Sequence, residues 1–167
     1  MATEFLNEKT YVDQAENVIK SLKDEDKGKL VTTSKLRNIL AMAADIYDKL
    51  LIESNDLISD ELNARIEYLR VRVIYEYGRD SSWPNLLQKF VDKSKLIIFL
   101  KQINGNRNNY IMFYRYLEAL VAFHKYYGGK DLGGTKYAYE NSDYRKHFSR
   151  DRYAYRRFYC FCSHWCS

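Results

Sequence analysis

The sequence predicts an all-α fold, a single bundle of five or six helices with an irregular C-terminal tail. Three observations carry this expectation. Apolar residues recur at three- and four-residue intervals through every long segment as far as about residue 127, which is the period of an amphipathic helix. One proline, Pro84, and seven glycines in 167 residues leave long stretches without helix breakers. Polar, glycine-containing breaks separate the periodic stretches, and no segment reads as a convincing strand. With 46% hydrophobic residues, the chain has enough apolar side chains for one core and does not read as disordered.

The first helix is predicted from Thr10 to about Asp24, with Val12, Ala15, Val18, Ile19 and Leu22 as its apolar line. Thr10 suits the N-cap, with Asp13 as a shorter capping-box acid. Asp24 to Lys29 is charged and contains Gly28, so it reads as a loop. Thr33 or Ser34 opens a second helix reaching about Glu53, with Leu36, Ile39, Leu40, Ala43, Ile46, Tyr47 and Leu50 facing inward. Ser59 is expected to cap a third helix, and Asp60 and Glu61 in its first turn suit the helix dipole. Its apolar line runs Leu62, Ile66, Leu69, Val73, Tyr77, with Gly78 as the glycine stop.

Ser82 and Pro84 mark the start of a fourth helix with proline in its first turn, and Leu86, Leu87, Phe90 and Val91 form its apolar face. Lys95 to Ile103 is either a separate short helix or a continuation. The polar run Asn104 to Asn109 is a break. The last helix carries Ile111, Phe113, Tyr114, Leu117, Leu120, Val121 and His124 and ends at Gly128–Gly129. The chain is therefore expected to comprise a flexible N-terminus (1–9), a helical bundle (10–131) and an atypical basic, aromatic tail (132–167).

Formal net charge is +5, of which residues 131–167 supply +3 from seven basic and four acidic side chains, leaving the body nearly balanced at +2. No apolar run approaches the roughly 20 residues of a membrane span, and the first residues lack a signal-peptide stretch. A cytoplasmic protein is the expectation. All three cysteines, Cys160, Cys162 and Cys166, lie in the tail, so no disulfide framework supports the body.

Catalytic chemistry has few candidates. His124 is the body's one histidine, and the body has no cysteine, which nearly excludes a nucleophile–base pair there. On a helix rich in apolar residues, His124 reads as a core or boundary histidine. Gly105 is isolated and Gly128–Gly129 ends a helix, so there is no phosphate-cradling loop. The acidic residues are interleaved with lysine and arginine, as on a solvated face. In the tail, Cys160, Cys162, His164 and Cys166 alternate, a spacing too tight to wrap one zinc ion tetrahedrally. No metal or other cofactor is expected, and no enzymatic activity.

The basic residues say more. Lys35 and Arg37 fall at the start of the second helix, where free amides also attract phosphate. Arg65, Arg72 and Arg79 are spaced by seven along the third helix, with Arg70 on the other flank. Such a stripe can follow a nucleic-acid backbone. It can equally be a surface stripe paired with Glu61, Glu67 and Glu76, and spacing alone favours that second reading.

Three blocks add a resemblance: Thr32 to Asn38 (TTSKLRN), Leu69 to Asp80 (LRVRVIYEYGRD) and Tyr116 to Asp131 (YLEALVAFHKYYGGKD). In that order they resemble the small subunit of the type III-A CRISPR–Cas (Csm) effector complex, over roughly residues 10–131. The resemblance implies a helical bundle without nuclease activity, acting in antiviral defence. Its partners would be guide RNA, target RNA, the backbone and large subunits and further copies of itself, with no membrane. It makes Lys35, Arg37, Arg70, Arg72 and Arg79 nucleic-acid-binding candidates, holding target RNA along the guide. Phosphate contacts give affinity without reading sequence, as a filament that accepts any target requires. The alternative is a free-standing helical adaptor binding a protein through a tyrosine-rich surface.

The resemblance ends near Asp131, where composition changes abruptly to arginine, tyrosine and cysteine. One explanation is a basic, aromatic RNA-binding extension. The favoured one is a frameshift. From Tyr137 onward, a one-base slip with permitted codon choices gives Met-x-Met-Lys-Ile-x-Ile-x-Gly-x-Ile and then Gly-x-His-Ile-Gly-Gly-Ser, resembling the start of the adjacently encoded backbone subunit.

Overall fold

The structure, a computed structural model, describes residues 5–53, 57–80 and 84–130. They form six helices, α1 (Tyr11–Glu25), α2 (Thr33–Ile52), α3 (Asp60–Arg79), α4 (Leu86–Ser94), α5 (Leu96–Gln102) and α6 (Arg107–Tyr126). Among the described residues there is no strand, only an isolated bridge between Leu57 and Asn106. The all-α bundle is as the sequence predicts. The tail, residues 132–167, lies outside the described residues, as do Ser82 and the first four residues.

The apolar lines read from the sequence supply the core, except that Val12 of α1 is exposed. Ile19 of α1, Leu36 and Leu50 of α2, Leu69 of α3, Phe90 of α4 and Phe113 of α6 are all buried in one cluster, each worth roughly 1.5–3 kcal/mol on leaving water. α6 lies along α1, α2 and α5. Its two buried tyrosines fasten it, Tyr110 donating to the Ala43 carbonyl (2.8 Å) and Tyr116 to that of Ser94 (3.2 Å). Burial pushes both phenols well above their ordinary pKa. The α1–α4 seam adds ion pairs from Lys89 to Asp26 and from Lys93 to Glu25.

Three expected boundaries are corrected. α3 does not stop at Gly78 but runs through it to Arg79, with Asp80 as its C-cap. Asp80 is tied down by partners from two other helices, and no left-handed glycine is needed. Pro84 is not in the first turn of α4. That helix starts at Leu86, and its N-cap Asn85 takes a left-handed φ of 54°. The break after α5 is shorter than Asn104–Asn109, because Asn106 caps α6 by accepting from the Asn109 amide (3.0 Å).

Thr10 does sit at the N-cap of α1, yet its hydroxyl makes no cap bond and instead accepts from the Gln14 side chain (3.2 Å). Ser59 does cap α3, accepting from the Leu62 amide at 3.4 Å. The open question over Lys95 resolves as two helices. Lys95 adopts φ 55°, and the Ser94 hydroxyl donates back to the Phe90 carbonyl (2.6 Å), ending α4.

Candidate nucleic-acid interface

α2 and α3 run antiparallel, tied by Lys35 to Asp80 (2.6 Å) and by Arg65 to Asp45 (3.5 Å). These two ties set the first turns of α2 beside the last turns of α3. The sequence candidates therefore have defined places, and they are not all together.

Arg72 and Arg79 form the local cluster. Residues at positions i, i+3, i+4 and i+7 share one side of a helix, which gathers Arg72, Tyr75, Glu76 and Arg79. The guanidinium carbons lie 5.4 Å (Arg72) and 5.7 Å (Arg79) from the Tyr75 ring centroid, within cation–π range. Glu76 bridges both arginines, at 3.7 Å to Arg72 and 2.6 Å to Arg79. Two fixed guanidinium groups against one carboxylate leave one positive charge on an exposed aromatic platform. Arg72 and Arg79 are 42% and 59% exposed while Glu76 is only 17% exposed, so both guanidinium groups keep donors open to solvent beside the carboxylate. A phosphate can therefore meet those open donors.

Lys35 is one-third exposed, and its ammonium is committed to the buried Asp80 carboxylate. Asp80 also accepts from the Leu87 amide (2.8 Å). Burial alone pushes the Asp80 carboxyl up, but the Lys35 ammonium and the Leu87 amide outweigh it and hold it below the ordinary range. Arg37 is exposed, about 200° round α2 from Lys35, so the two do not share a face. Arg70 lies on the other flank of α3, paired with Glu67 (2.6 Å) beside a shallow groove that also takes in Asn63, Lys101 and Asn104.

The pairings expected for a surface stripe do form. Glu61 takes Arg65 (3.1 Å), Glu67 takes Arg70, and Glu76 takes both Arg72 and Arg79. Sequence reasoning does not single out Tyr75, although its spacing from Arg72 (i+3) and Arg79 (i−4) was there to be read.

His124 is a core histidine. It is fully buried, and its Nε2 donates to the Val31 carbonyl at 2.6 Å. Among the described residues, no three His, Cys, Asp or Glu side chains converge as metal ligands, and no helix is long and apolar enough to cross a membrane. The alternating Cys and His residues of the tail lie outside the described residues.

Comparison with known proteins adds a family. The family model described as Csm2 Type III-A matches residues 6–130. A CRISPR system Cms protein Csm2 of Streptococcus thermophilus is 39% identical over 127 residues, spanning 75% of this chain and 98% of that protein. One of Mycobacterium tuberculosis is 36% identical over 121 residues, spanning 72% and 94%. One of Enterococcus italicus is 33% identical over 98 residues, spanning 58% and 68%.

Proposed function

The chain belongs to the Csm2 family of type III-A CRISPR systems, and from that premise we propose that it is a non-catalytic subunit that holds target RNA along the guide through phosphate contacts. It works in antiviral defence in the cytoplasm, with guide RNA, the backbone and large subunits, and further copies of itself. The observation that supports the RNA-contacting part best is the Arg72–Tyr75–Arg79 cluster, two guanidinium groups held side by side on an exposed face. Arg37 and Arg70 add charge on neighbouring faces. Lys35 contributes to the local potential while bonded to Asp80. Contacts of this chemistry attract the RNA backbone without selecting a sequence.

Replacing Arg72 and Arg79 by alanine is expected to weaken target-RNA binding by the assembled complex to the same degree for unrelated targets. The slope of log affinity against log salt should fall by about one per contact removed. Adding Arg37→Ala and Lys35→Ala should extend the loss. A quadruple variant that assembles and binds with unchanged affinity and salt slope would make these ordinary surface charges.

The isolated protein is expected to leave RNA uncut with or without divalent metal. Cleavage that survives purification and vanishes on a single carboxylate substitution would reverse the non-catalytic reading. Residues 132–167 are proposed to be dispensable, so a chain ended after Asp131 should fold and join the complex. Failure to do either would make the tail a working element. The gene sequence across the junction tests the frameshift origin directly.

A further inference from the structure

From α4 into α5 the chain runs back along α3. The Gln88 side chain donates to the Tyr77 carbonyl (2.9 Å) near the end of α3, and the Ile58 amide donates to the Gly105 carbonyl (3.2 Å) at its start. Between these two ties α3 and α5 leave a groove of about 380 Å³, the size of a small-ligand site. Buried Ile66, Leu100 and Ile103 form its floor. Its rim is polar, with Asn63, Glu67 and Arg70 on one side and Lys101 and Asn104 on the other.

The two ends of this rim differ in chemistry. Asn63, Glu67 and Arg70 follow at intervals of four and three, so they share one side of α3, over about 10.5 Å from first to last. Gly105 is tied to the start of α3, which sets Asn104 at the Asn63 end. Lys101, one turn back along the chain, then lies towards the Arg70 end. One end is therefore cationic, and the other carries two side-chain amides, each able to donate and to accept. Glu67 stands between them and holds Arg70 at 2.6 Å. That one contact leaves most of the five guanidinium donors for other acceptors. The side chains of Asn63, Lys101 and Asn104 have no partner among the described residues.

We propose that this groove binds one ribonucleotide, with its phosphate on Arg70 and Lys101, a ribose hydroxyl on the Glu67 carboxylate and its base edge on the amides of Asn63 and Asn104. Arginine and lysine suit phosphate, a carboxylate accepts from a ribose hydroxyl, and side-chain amides hydrogen-bond base edges. The order of these groups along the groove is the order of phosphate, sugar and base in a nucleotide. An acidic peptide fits less well, because Glu67 would repel it beside the cationic end. The groove lies on the opposite flank of α3 from Arg72 and Arg79, so it is a separate site. Its nucleotide is either free in solution or an unpaired residue of an RNA strand, and only the second source rests on the RNA-contacting role.

Chemical shifts of the full chain, titrated with uridine monophosphate in the absence of other subunits, test the site independently of that role. Signals of Asn63, Arg70, Lys101 and Asn104 should move together and saturate with a Kd on the order of 1 mM, since the groove offers no aromatic ring for the base to stack on. Lys101→Ala should weaken binding about tenfold. Deoxyuridine monophosphate should bind more weakly than the ribonucleotide, and Glu67→Ala should abolish that preference, which a general charge effect would not do. A short oligouridylate that moves the same signals at lower concentration supports the site with an RNA strand as its source, and tighter binding of the mononucleotide supports it with free nucleotide as its source. Signals that stay still up to about 10 mM nucleotide, an unchanged Kd in Lys101→Ala, or tetraglutamate binding there more tightly than either uridine ligand overturns the proposal. Its failure leaves the RNA-binding measurements on Arg72 and Arg79 untouched, and their failure leaves mononucleotide binding in the groove untouched.

Discussion

Replacing Gly129 by alanine is expected to lower the stability of the bundle by about 2–3 kcal/mol. A Cβ at Gly129 would stand 2.0 Å from Cε1, 2.3 Å from Nδ1 and 2.6 Å from Nε2 of His124, far inside van der Waals contact. The ring has no easy retreat. It is fully buried, and its Nε2 is bonded to the Val31 carbonyl. Turning it away would break that bond and leave a buried carbonyl unpaired, a cost of about 1–3 kcal/mol.

Moving the backbone instead costs different bonds. The Gly129 amide donates to the His124 carbonyl (2.9 Å), and the Thr33 amide at the start of α2 donates to that of Lys130 (3.2 Å). Urea unfolding of Gly129→Ala, His124→Ala and the double variant checks the argument. The double variant should be at least about 1 kcal/mol more stable than the sum of the two losses predicts, since removing the ring removes the clash. Gly128 is the control. Its φ of +98° disfavours a side chain, but nothing lies within 4 Å, so alanine there should cost only about 1 kcal/mol. A Gly129→Ala protein within about 0.5 kcal/mol of wild type would show that the ring does not sit there.

The contrast between these two glycines shows what was legible in the sequence. Residues whose placement follows from helical period were readable: the apolar lines of α1, α2, α3 and α6, His124 among them, and the short-range pairs Arg65–Glu61, Arg70–Glu67 and Arg79–Glu76. Period fixes which side of a helix a residue takes before any tertiary contact exists. Helix ends set by partners distant in sequence were not readable. Asn85 and Lys95 adopt left-handed backbone without being glycine, while Gly78 stays helical. In each case tertiary contacts override the local preference that made Pro84 and Gly78 look like boundaries. The five basic candidates were visible as charges. Period already put Arg70 on the other flank of α3, but the commitment of Lys35 to Asp80 was not visible, because that partner lies 45 residues away.

That same distant partner gives the other large effect: Asp80→Ala is expected to destabilise the bundle by about 3 kcal/mol. The Asp80 side chain is 4% exposed and serves two helices, with one oxygen on the Lys35 ammonium and the other on the Leu87 amide. Asn85, the N-cap of α4, makes no side-chain cap bond, so Asp80 supplies from the end of α3 the acceptor that α4 lacks locally. Alanine would leave the Leu87 amide buried without that acceptor and would free Lys35, which is exposed enough to turn into water. The cost should therefore lie at the lower end for a broken buried pair. An asparagine in its place would keep an acceptor for the Leu87 amide and lose the charge, so Asp80→Asn should cost about half as much.

The pH dependence has a definite sign. The folded-state pKa of Asp80 is depressed, so its stabilisation is complete above the ordinary carboxylate pKa of about 3.9 and is lost as pH falls through the folded value. Wild type and Asp80→Ala should thus differ fully at pH 7 and converge as pH drops below about 4. A difference that persists unchanged into strong acid would mean that the carboxylate charge contributes nothing. Lys35→Ala belongs to the same experiment. It should destabilise too, because it leaves the Asp80 carboxylate, 4% exposed, on the Leu87 amide without its counter-charge. Any loss of RNA binding in Lys35→Ala that Asp80→Ala reproduces would then report the α2–α3–α4 junction rather than a phosphate contact, whereas a loss confined to Lys35→Ala would place the ammonium on the RNA.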